Sequence, residues 1–321
     1  MLPHDIIVVT GAGGFIGHHL VKRLKHDGFC VRGVDLKYPE YEDSIADEFE
    51  LLDLRIYDNC IKAINGASHV FNLAADMGGI GYITPFHAAI ARNNILINTH
   101  MLEAARKNDV KRFLFTSSAC VYPRYRQEIT DVPPLKEEYA YPAEPERGYG
   151  WEKLFTEELC SYYREDFALD TRIVRLHNVY GPLGTYDGGK EKAPAAISRK
   201  VVLAEDGGVI EIWGDGEQTR SFMYIDDCIE GLLRVMNSDF STPINLGTER
   251  RVTIDELVDL VASIAGKKIV KNYNPDKPQG VRGRNSDNSL LRRLLNWEPA
   301  VSLEKGMEET YIWIKNELRK N

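Results

Sequence analysis

The sequence predicts an α/β fold, a doubly wound parallel sheet joined to a smaller, discontinuous α/β domain. Three observations lead there. Over the first 176 residues short apolar runs alternate with stretches of helical periodicity, the pattern of parallel strands linked by right-handed helical crossovers. A glycine run, Gly11-Ala-Gly-Gly14-Phe-Ile-Gly17, separates the first strand from the first helix. From about residue 177 that rhythm is lost, as expected where the chain leaves the sheet to build a second unit. The length of 321 residues suits about two domains, and a hydrophobic content of 43% supports a large core.

The elements follow in order. Residues 5–10 (DIIVVT) are apolar without alternation, as in a strand covered on both faces. Residues 15–27 place Phe15, Ile16, Leu20, Val21 and Leu24 at helical spacing, and Gly28 closes the helix. Strands are predicted at 30–36, 49–53, 69–75, 112–118 and 171–176, with helices at 57–64, 86–107 and 148–167. Residues 181–192 (GPLGTYDGGKEK) read as a loop because glycine and charge dominate. A helix at 225–235 and a strand at 243–247 return the chain to the sheet. Helices at 254–265 and 303–318 then flank a loop at 273–287 rich in Pro, Gly and Arg.

Composition narrows the partners. Lys and Arg total 40 against 48 Asp and Glu, a net charge of −8, which argues against nucleic acid or an anionic membrane as a partner. Five cysteines, with no Cys-x-x-Cys pair, fit a reducing cytoplasm and give no metal signature. The apolar start leads straight into a turn and reads as a strand rather than a targeting peptide. No run approaches the ~20 apolar residues that span a bilayer.

The glycine run sits where a dinucleotide needs it. Glycines permit the tight turn, close approach of backbone to a pyrophosphate and tight helix–sheet packing, and the helix start adds free amides and a positive dipole end. Gly11, Gly14, Phe15, Ile16 and Gly17 are therefore candidate cofactor contacts. Asp35 ends the second strand. A carboxylate there accepts from both ribose hydroxyls and repels a 2′-phosphate, so NAD is expected rather than NADP. Residues 1–176 with about 220–248 are assigned to the NAD-binding domain, and about 177–219 with 249–321 to the substrate domain.

A Tyr with a Lys four residues on lies on one helix face. The chain holds four such pairs: Tyr149/Lys153, Tyr186/Lys190, Tyr273/Lys277 and Tyr311/Lys315. Only Tyr149 opens a helix after a strand, the one ending Thr116-Ser-Ser-Ala-Cys120. A nearby ammonium and a cationic nicotinamide favour phenolate, so Tyr149 is a candidate acid/base toward a substrate hydroxyl. Cys120 admits two readings: a carbon-acid base whose pKa neighbouring cations lower, or a small packing residue.

The glycine spacing and the Tyr/Lys pair resemble the Rossmann-type short-chain dehydrogenase/reductase superfamily, in its extended, sugar-nucleotide-modifying branch. Asp53-Leu54 looks like that branch's adenine contact, with a helix cap as the alternative for Asp53, and Ala74 closes the fourth strand beside the cofactor. Longer stretches are similar to the GDP-mannose 3,5-epimerases: Leu73-Ala-Ala-Asp-Met-Gly-Gly79, Ser117-Ser-Ala-Cys-Val-Tyr-Pro123, Gly189-Lys-Glu-Lys-Ala-Pro-Ala-Ala196, Trp213-Gly-Asp-Gly216 and Val281-Arg-Gly-Arg-Asn-Ser-Asp-Asn288. This resemblance implies that Cys120 and Lys192 form the epimerising acid/base pair beside Tyr149 and Lys153. It implies a 4-keto sugar with acidified hydrogens at carbons 3 and 5, and a tightly bound, recycled NAD. It places Arg220 and Arg284 on or near a diphosphate, with Arg282 close by. Asn178, Lys200 and Gln218 line the nucleotide pocket, Gly78, Ser118 and Ala119 flank the sugar, and Glu191 and Ala193 adjoin Lys192. Trp213 is read either as a base-stacking ring or as a core residue. The competing chemistry is a 4-epimerase or 4,6-dehydratase of another nucleotide sugar. The helices at 86–107 and 148–167 are expected to form a homodimer, with sheet cover as the alternative.

Overall fold

A computed structural model describes residues 1–2 and 5–320. Its strands are β1 (Ile6–Thr10), β2 (Cys30–Asp35), β3 (Glu48–Leu51), β4 (His69–Asn72), β5 (Arg112–Ser118), β6 (Thr171–Leu176), β7 (Asn178–Tyr180), β8 (Val209–Trp213), β9 (Thr219–Arg220), β10 (Phe222–Tyr224), β11 (Ile244–Leu246), β12 (Val252–Thr253), β13 (Val270–Asn274) and β14 (Gly283–Arg284). Its helices are α1 (Phe15–His26), α2 (Tyr57–Ile64), α3 (Ile80–Ile83), α4 (His87–Lys107), α5 (Tyr149–Phe167), α6 (Ala193–Leu203), α7 (Ile225–Asn237), α8 (Ile254–Ala265), α9 (Ser289–Leu295) and α10 (Leu303–Lys320).

Seven parallel strands form the main sheet in the order β11-β6-β5-β4-β1-β2-β3. The apolar run of β1 serves both faces. Ile7 and Val9 pack with Leu20, Val21 and Leu24 of α1 and with Ile229, Leu232 and Met236 of α7. Val8 joins Cys60 and Ile64 of α2, Met101 and Leu102 of α4, and Cys160 of α5 on the other face. Successive side chains point to opposite sides of a sheet, so only a doubly covered strand can be apolar throughout. The chain runs outward through β2 and β3 and then returns to β4 on the other side of β1. A crevice opens at such a reversal, beyond the carboxyl ends of the strands, and ligands settle there. The glycine loop after β1 and the Leu73–Asp76 segment after β4 both border it.

Several boundaries differ from the sequence expectation. Strand β4 stops at Asn72, three residues early, because the amides of Leu73 and Ala74 donate to Thr10 Oγ1 instead of a neighbouring strand (both 3.1 Å). Strand β3 lies at Glu48–Leu51 rather than 49–53. The predicted loop at 273–287 contains the end of β13 and all of β14. Helix α6 has no counterpart in the prediction. It opens with Pro194 near its start, where a missing N–H costs nothing, and buries Ile197 and Val201. Helices α3 and α9 and strands β7–β10 and β12 were likewise unpredicted, being too short to show a period. Helix α8 follows the local code closely: Thr253 and Glu256 form a reciprocal capping box, and Gly266 ends the helix in the left-handed region. Among the described residues no helix is long and apolar enough to cross a membrane.

Candidate active site

The dinucleotide end is built from backbone. A Cβ on Gly13 would stand 2.1 Å from the Lys37 carbonyl oxygen, and one on Gly17 would stand 2.1 Å from that of Gly11. No larger residue fits either place. Gly14 caps α1 without any side-chain hydrogen bond, so the first-turn amides of Phe15, Ile16 and Gly17 keep their donors for an anion. Asp35 lies across the turn and accepts from the amides of Gly13 (2.9 Å) and Leu36 (2.6 Å). Burial raises its pKa, and these amides oppose the rise. Asp53 does not cap α2, whose cap is Ile56; it pairs with Arg55 at 2.7 Å, and Leu54 is buried beside it. Ala74 meets the loop directly, its amide nitrogen 3.0 Å from where a Gly11 Cβ would be. Lys37, which the sequence places near Asp35, also lines this pocket with His18, Tyr41 and Leu183; nothing in the sequence singled out the last three, which lie outside the glycine run. The bare helix start, the glycine cradle and the strand-end carboxylate fit NAD.

The candidate catalytic centre forms where β5 runs into a single 3₁₀ turn, Ala119–Val121. Ser118 Oγ accepts from the Cys120 amide at 3.2 Å. Gly148, at φ +77°, lets the chain turn onto α5, and a Cβ there would lie 3.0 Å from His87. A Cβ on Gly150 would lie 2.3 Å from the Cys120 carbonyl. The start of α5 is thus pressed onto the Cys120 turn, which brings Tyr149 beside the thiol. The ammonium of Lys153 donates to the Thr116 carbonyl at 3.1 Å and stands 5.5 Å from the Tyr149 ring centre. The other three Tyr/Lys pairs are structural. Tyr186 stacks on Tyr41, Tyr273 donates to Asp255 at 2.6 Å, and Tyr311 is a core residue.

Burial decides the electrostatics here, and it corrects the sequence expectation. An ammonium together with a cationic nicotinamide was expected to draw the phenol down, and one of the two readings of Cys120 had cations lower the thiol. Instead burial pushes the Cys120 thiol up to about 11; Glu146 adds to the rise and Arg284 opposes it. Burial, reinforced by Glu152 and Cys120, drives Tyr149 well above its ordinary value, against a hydrogen bond with Ser118. Burial lowers both lysines, Lys153 and Lys192. Desolvation outweighs point charges because a buried ion loses its whole hydration shell.

The second unit brings cations to the same place. Arg284 is 7% exposed. It donates through Nε to Gln127 at 2.5 Å and through Nη1 to Cys120 Sγ at 3.6 Å. Arg220 donates only to the carbonyls of Thr219 and Gln279. Burial and the nearby Arg284 pull its pKa down to about 9. A buried guanidinium and a half-buried one that repel each other could receive an anion such as a diphosphate. Arg282 stands apart, tied to Asp215 at 2.7 Å on the surface. Gln218 donates to the Trp213 carbonyl at 2.8 Å and keeps a buried, unpartnered Oε1. Asn178 donates to the Ser221 carbonyl and Lys200 to the Glu211 carbonyl. Trp213 is not a core residue: it is 36% exposed, and a Cβ on Gly81 would touch its ring at 3.4 Å.

Lys192 caps α6, directly before Ala193. The preceding carboxylate of Glu191 holds its own loop, accepting from the Gly189 amide at 2.7 Å and from Arg199 at 3.4 Å. That loop docks on the Met77–Gly79 turn, where the Gly79 amide donates to the Lys190 carbonyl at 3.0 Å and a Gly79 Cβ would meet the Glu191 carbonyl at 2.5 Å. A Cβ on Gly78 would press on Tyr82 at 2.9 Å. Glu146, Gln127 and Glu152 complete the centre and were not singled out from sequence. Glu146 stands three residues before Tyr149, a signal that only its contact with Cys120 makes meaningful.

Comparison with known proteins agrees with this construction. Residues 7–247 match the model of the NAD dependent epimerase/dehydratase family. A GDP-mannose 3,5-epimerase of Arabidopsis thaliana is 51% identical, covering 98% of this chain and 83% of that protein. GDP-mannose 3,5-epimerase 1 of Oryza sativa subsp. japonica is 50% identical, covering 98% of this chain and 82% of that protein. Among solved structures, a UDP-glucose 4-epimerase of Thermotoga maritima with UDP-glucose superposes with a TM-score of 0.88 at 29% identity, covering 98% of this chain and 99% of that chain. With this likeness sustained over nearly its whole length, the chain belongs to the NAD dependent epimerase/dehydratase family, in the group of the GDP-mannose 3,5-epimerases.

Proposed function

We propose that this protein epimerises GDP-mannose at carbons 3 and/or 5, with NAD as a retained cofactor. The observation that carries the reading is the convergence of Tyr149, Cys120 and Arg284 on one centre, with Arg284 3.6 Å from the thiol. NAD, held by the glycine loop and Asp35, supplies reversible hydride acceptance at carbon 4 of the sugar. Tyr149 takes the 4-hydroxyl proton and later returns it, with Lys153 beneath the ring to stabilise the phenolate. Beside a 4-keto group the hydrogens on carbons 3 and 5 are acidic. Cys120 and Lys192 remove and replace protons there. Once protonated, Tyr149 is kept so by burial and can donate to the enolate oxygen. Arg220 and Arg284 hold the diphosphate, and Gln218 offers its free oxygen to the nucleotide.

The finer assignments belong to the same proposal. Residues 1–176 with about 220–248 hold the cofactor, and about 177–219 with 249–321 hold the nucleotide sugar. The protein is a homodimer: Trp151, Phe155 and Tyr162 of α5 and Ile95 of α4 expose large apolar surface, the kind of face that a second copy covers. Five free cysteines support a cytoplasmic setting.

The test is turnover of GDP-mannose in deuterated water, followed by NMR. Deuterium is expected at carbon 5, or at carbons 3 and 5, and none at carbon 4. An epimer formed without any ring label would support simple 4-epimerisation instead. Cys120→Ala should abolish exchange and leave NAD bound.

A further inference from the structure

Directly before Lys153 stands a carboxylate that the chemistry above does not use. Glu152 is 1% exposed and Lys153 is 2% exposed. Their charged groups lie 3.8 Å apart. The hydrogen bonds around Glu152 have a fixed direction. Thr10 Oγ1 accepts from the amides of Leu73 and Ala74, so its own proton goes to Asn72 Oδ1 at 2.9 Å. Asn72 then donates to Asn98 Oδ1 at 2.9 Å, and Asn98 donates to Glu152 Oε2 at 3.3 Å. From the other side the Asp76 amide donates to Asn94 Oδ1 at 2.6 Å, and Asn94 donates to Glu152 Oε1 at 2.9 Å. Both chains begin at backbone N–H groups, which can only donate, so none of the three asparagines can be turned round. Glu152 is the terminal acceptor on both oxygens, the arrangement that suits an ionised carboxylate; burial raises its pKa, and Lys153, Asn94 and Asn98 oppose the rise.

We propose that Glu152 is a positioning residue for the redox step: its buried carboxylate, fixed by Asn94 and Asn98, is the counter-ion that keeps Lys153 charged beneath Tyr149. Without it the ammonium would face the Thr116 carbonyl and the Phe115 and Tyr149 rings. The other ionisable groups near it do not replace Glu152. From α5, Glu157 is engaged by Arg175 of β6 at 2.7 Å and by Ser117. Burial holds the thiols of Cys160 and Cys120 in their neutral forms, and Tyr149 is the group that the charge on Lys153 serves. Helix α4 presents only neutral asparagines at this point. Asp76, tied to Asn94 and to Tyr82 of α3 at 2.8 Å, extends the network to the turn that docks on the Lys192 loop.

The inference rests on the roles given to Tyr149 and Lys153, so its experiment has two arms. In the first, kcat of the full chain saturated with NAD is measured against pH for wild type and Glu152→Gln. Loss of an opposite charge at this range moves a pKa by about one to three units. The fall of activity at alkaline pH should therefore begin about one to three units lower in the variant; an unmoved limb overturns the proposal. The second arm needs no activity. Thermal midpoints are compared for wild type, Glu152→Gln, Lys153→Met and the double variant. Each single variant strands a buried charge or removes its partner. The double should regain most of the midpoint lost by Lys153→Met, and it should fold even if Glu152→Gln alone does not. Strictly additive losses, or a double no better than either single, overturn it. A wild type inert toward GDP-mannose would sink the proposed function, while the thermal cycle would still judge the pair.

Discussion

Replacing Glu146 by Gln should make Cys120 more reactive. The thiol stands at about 11, raised first by burial and next by Glu146, with Arg284 pulling the other way. At pH 7.5 such a group is about one part in 3,000 thiolate. Glu146 is held against the thiol turn, its amide donating to the Cys120 carbonyl at 2.9 Å. Removing its charge should lower the thiol pKa by about one unit and raise the thiolate fraction about tenfold. A less basic thiolate is also a poorer nucleophile, with a Brønsted slope of about 0.4–0.5, so the net gain toward a disulfide reagent is about three- to fourfold. Arg284→Met removes the opposing cation and should slow the reaction by a similar factor. The assay is the rate of mixed-disulfide formation with an aromatic disulfide at pH 7.5, read at Cys120 by peptide mapping. Cys60, Cys160 and Cys228 are buried and Cys30 is mapped separately. In wild type the rate should climb about tenfold per pH unit up to about pH 11. An unchanged or slower Glu146→Gln variant, or a faster Arg284→Met variant, would refute the electrostatic account.

Two further outcomes follow from the geometry. Gly13→Ala places a methyl 2.1 Å from the Lys37 carbonyl, so the cofactor turn must open; NAD affinity should fall at least about tenfold, and titration calorimetry showing wild-type affinity would contradict the cradle. Phe155→Glu puts a charge in the exposed apolar stripe of α5, where Phe155 is 48% exposed. Sedimentation should then show monomers at concentrations where wild type is dimeric, with little change in thermal midpoint; an undisturbed dimer would place the interface elsewhere.

What could be read from sequence was local. The alternation of β1 to β6 with their helices was legible because parallel strands buried on both faces need unbroken apolar runs, as in Ile6-Ile-Val-Val-Thr10. The glycine loop was legible because only glycine tolerates a carbonyl 2.1 Å from its Cβ position. Tyr149 could be preferred over Tyr186, Tyr273 and Tyr311 from context, since it opens the next long helix after a sheet strand. Helix α6 was missed because its apolar content is divided between two neighbours, α8 and α10, leaving no clear stripe.

The sequence by itself determined the sheet strands and the cofactor turn and nominated Tyr149 and Lys153, because each is encoded within a few residues of itself. Tertiary structure decided the rest. Arg284 reaches Cys120 across 164 residues, and no periodicity announces such a meeting. It set Arg282 on the surface with Asp215, away from Arg284, and it alone brought Asn94 and Asn98 to the Glu152 carboxylate beside Lys153. It also reversed the expected direction for Tyr149 and Cys120. A protonation state depends on how much water the whole fold excludes, a property that belongs to the assembled core and to no stretch of chain.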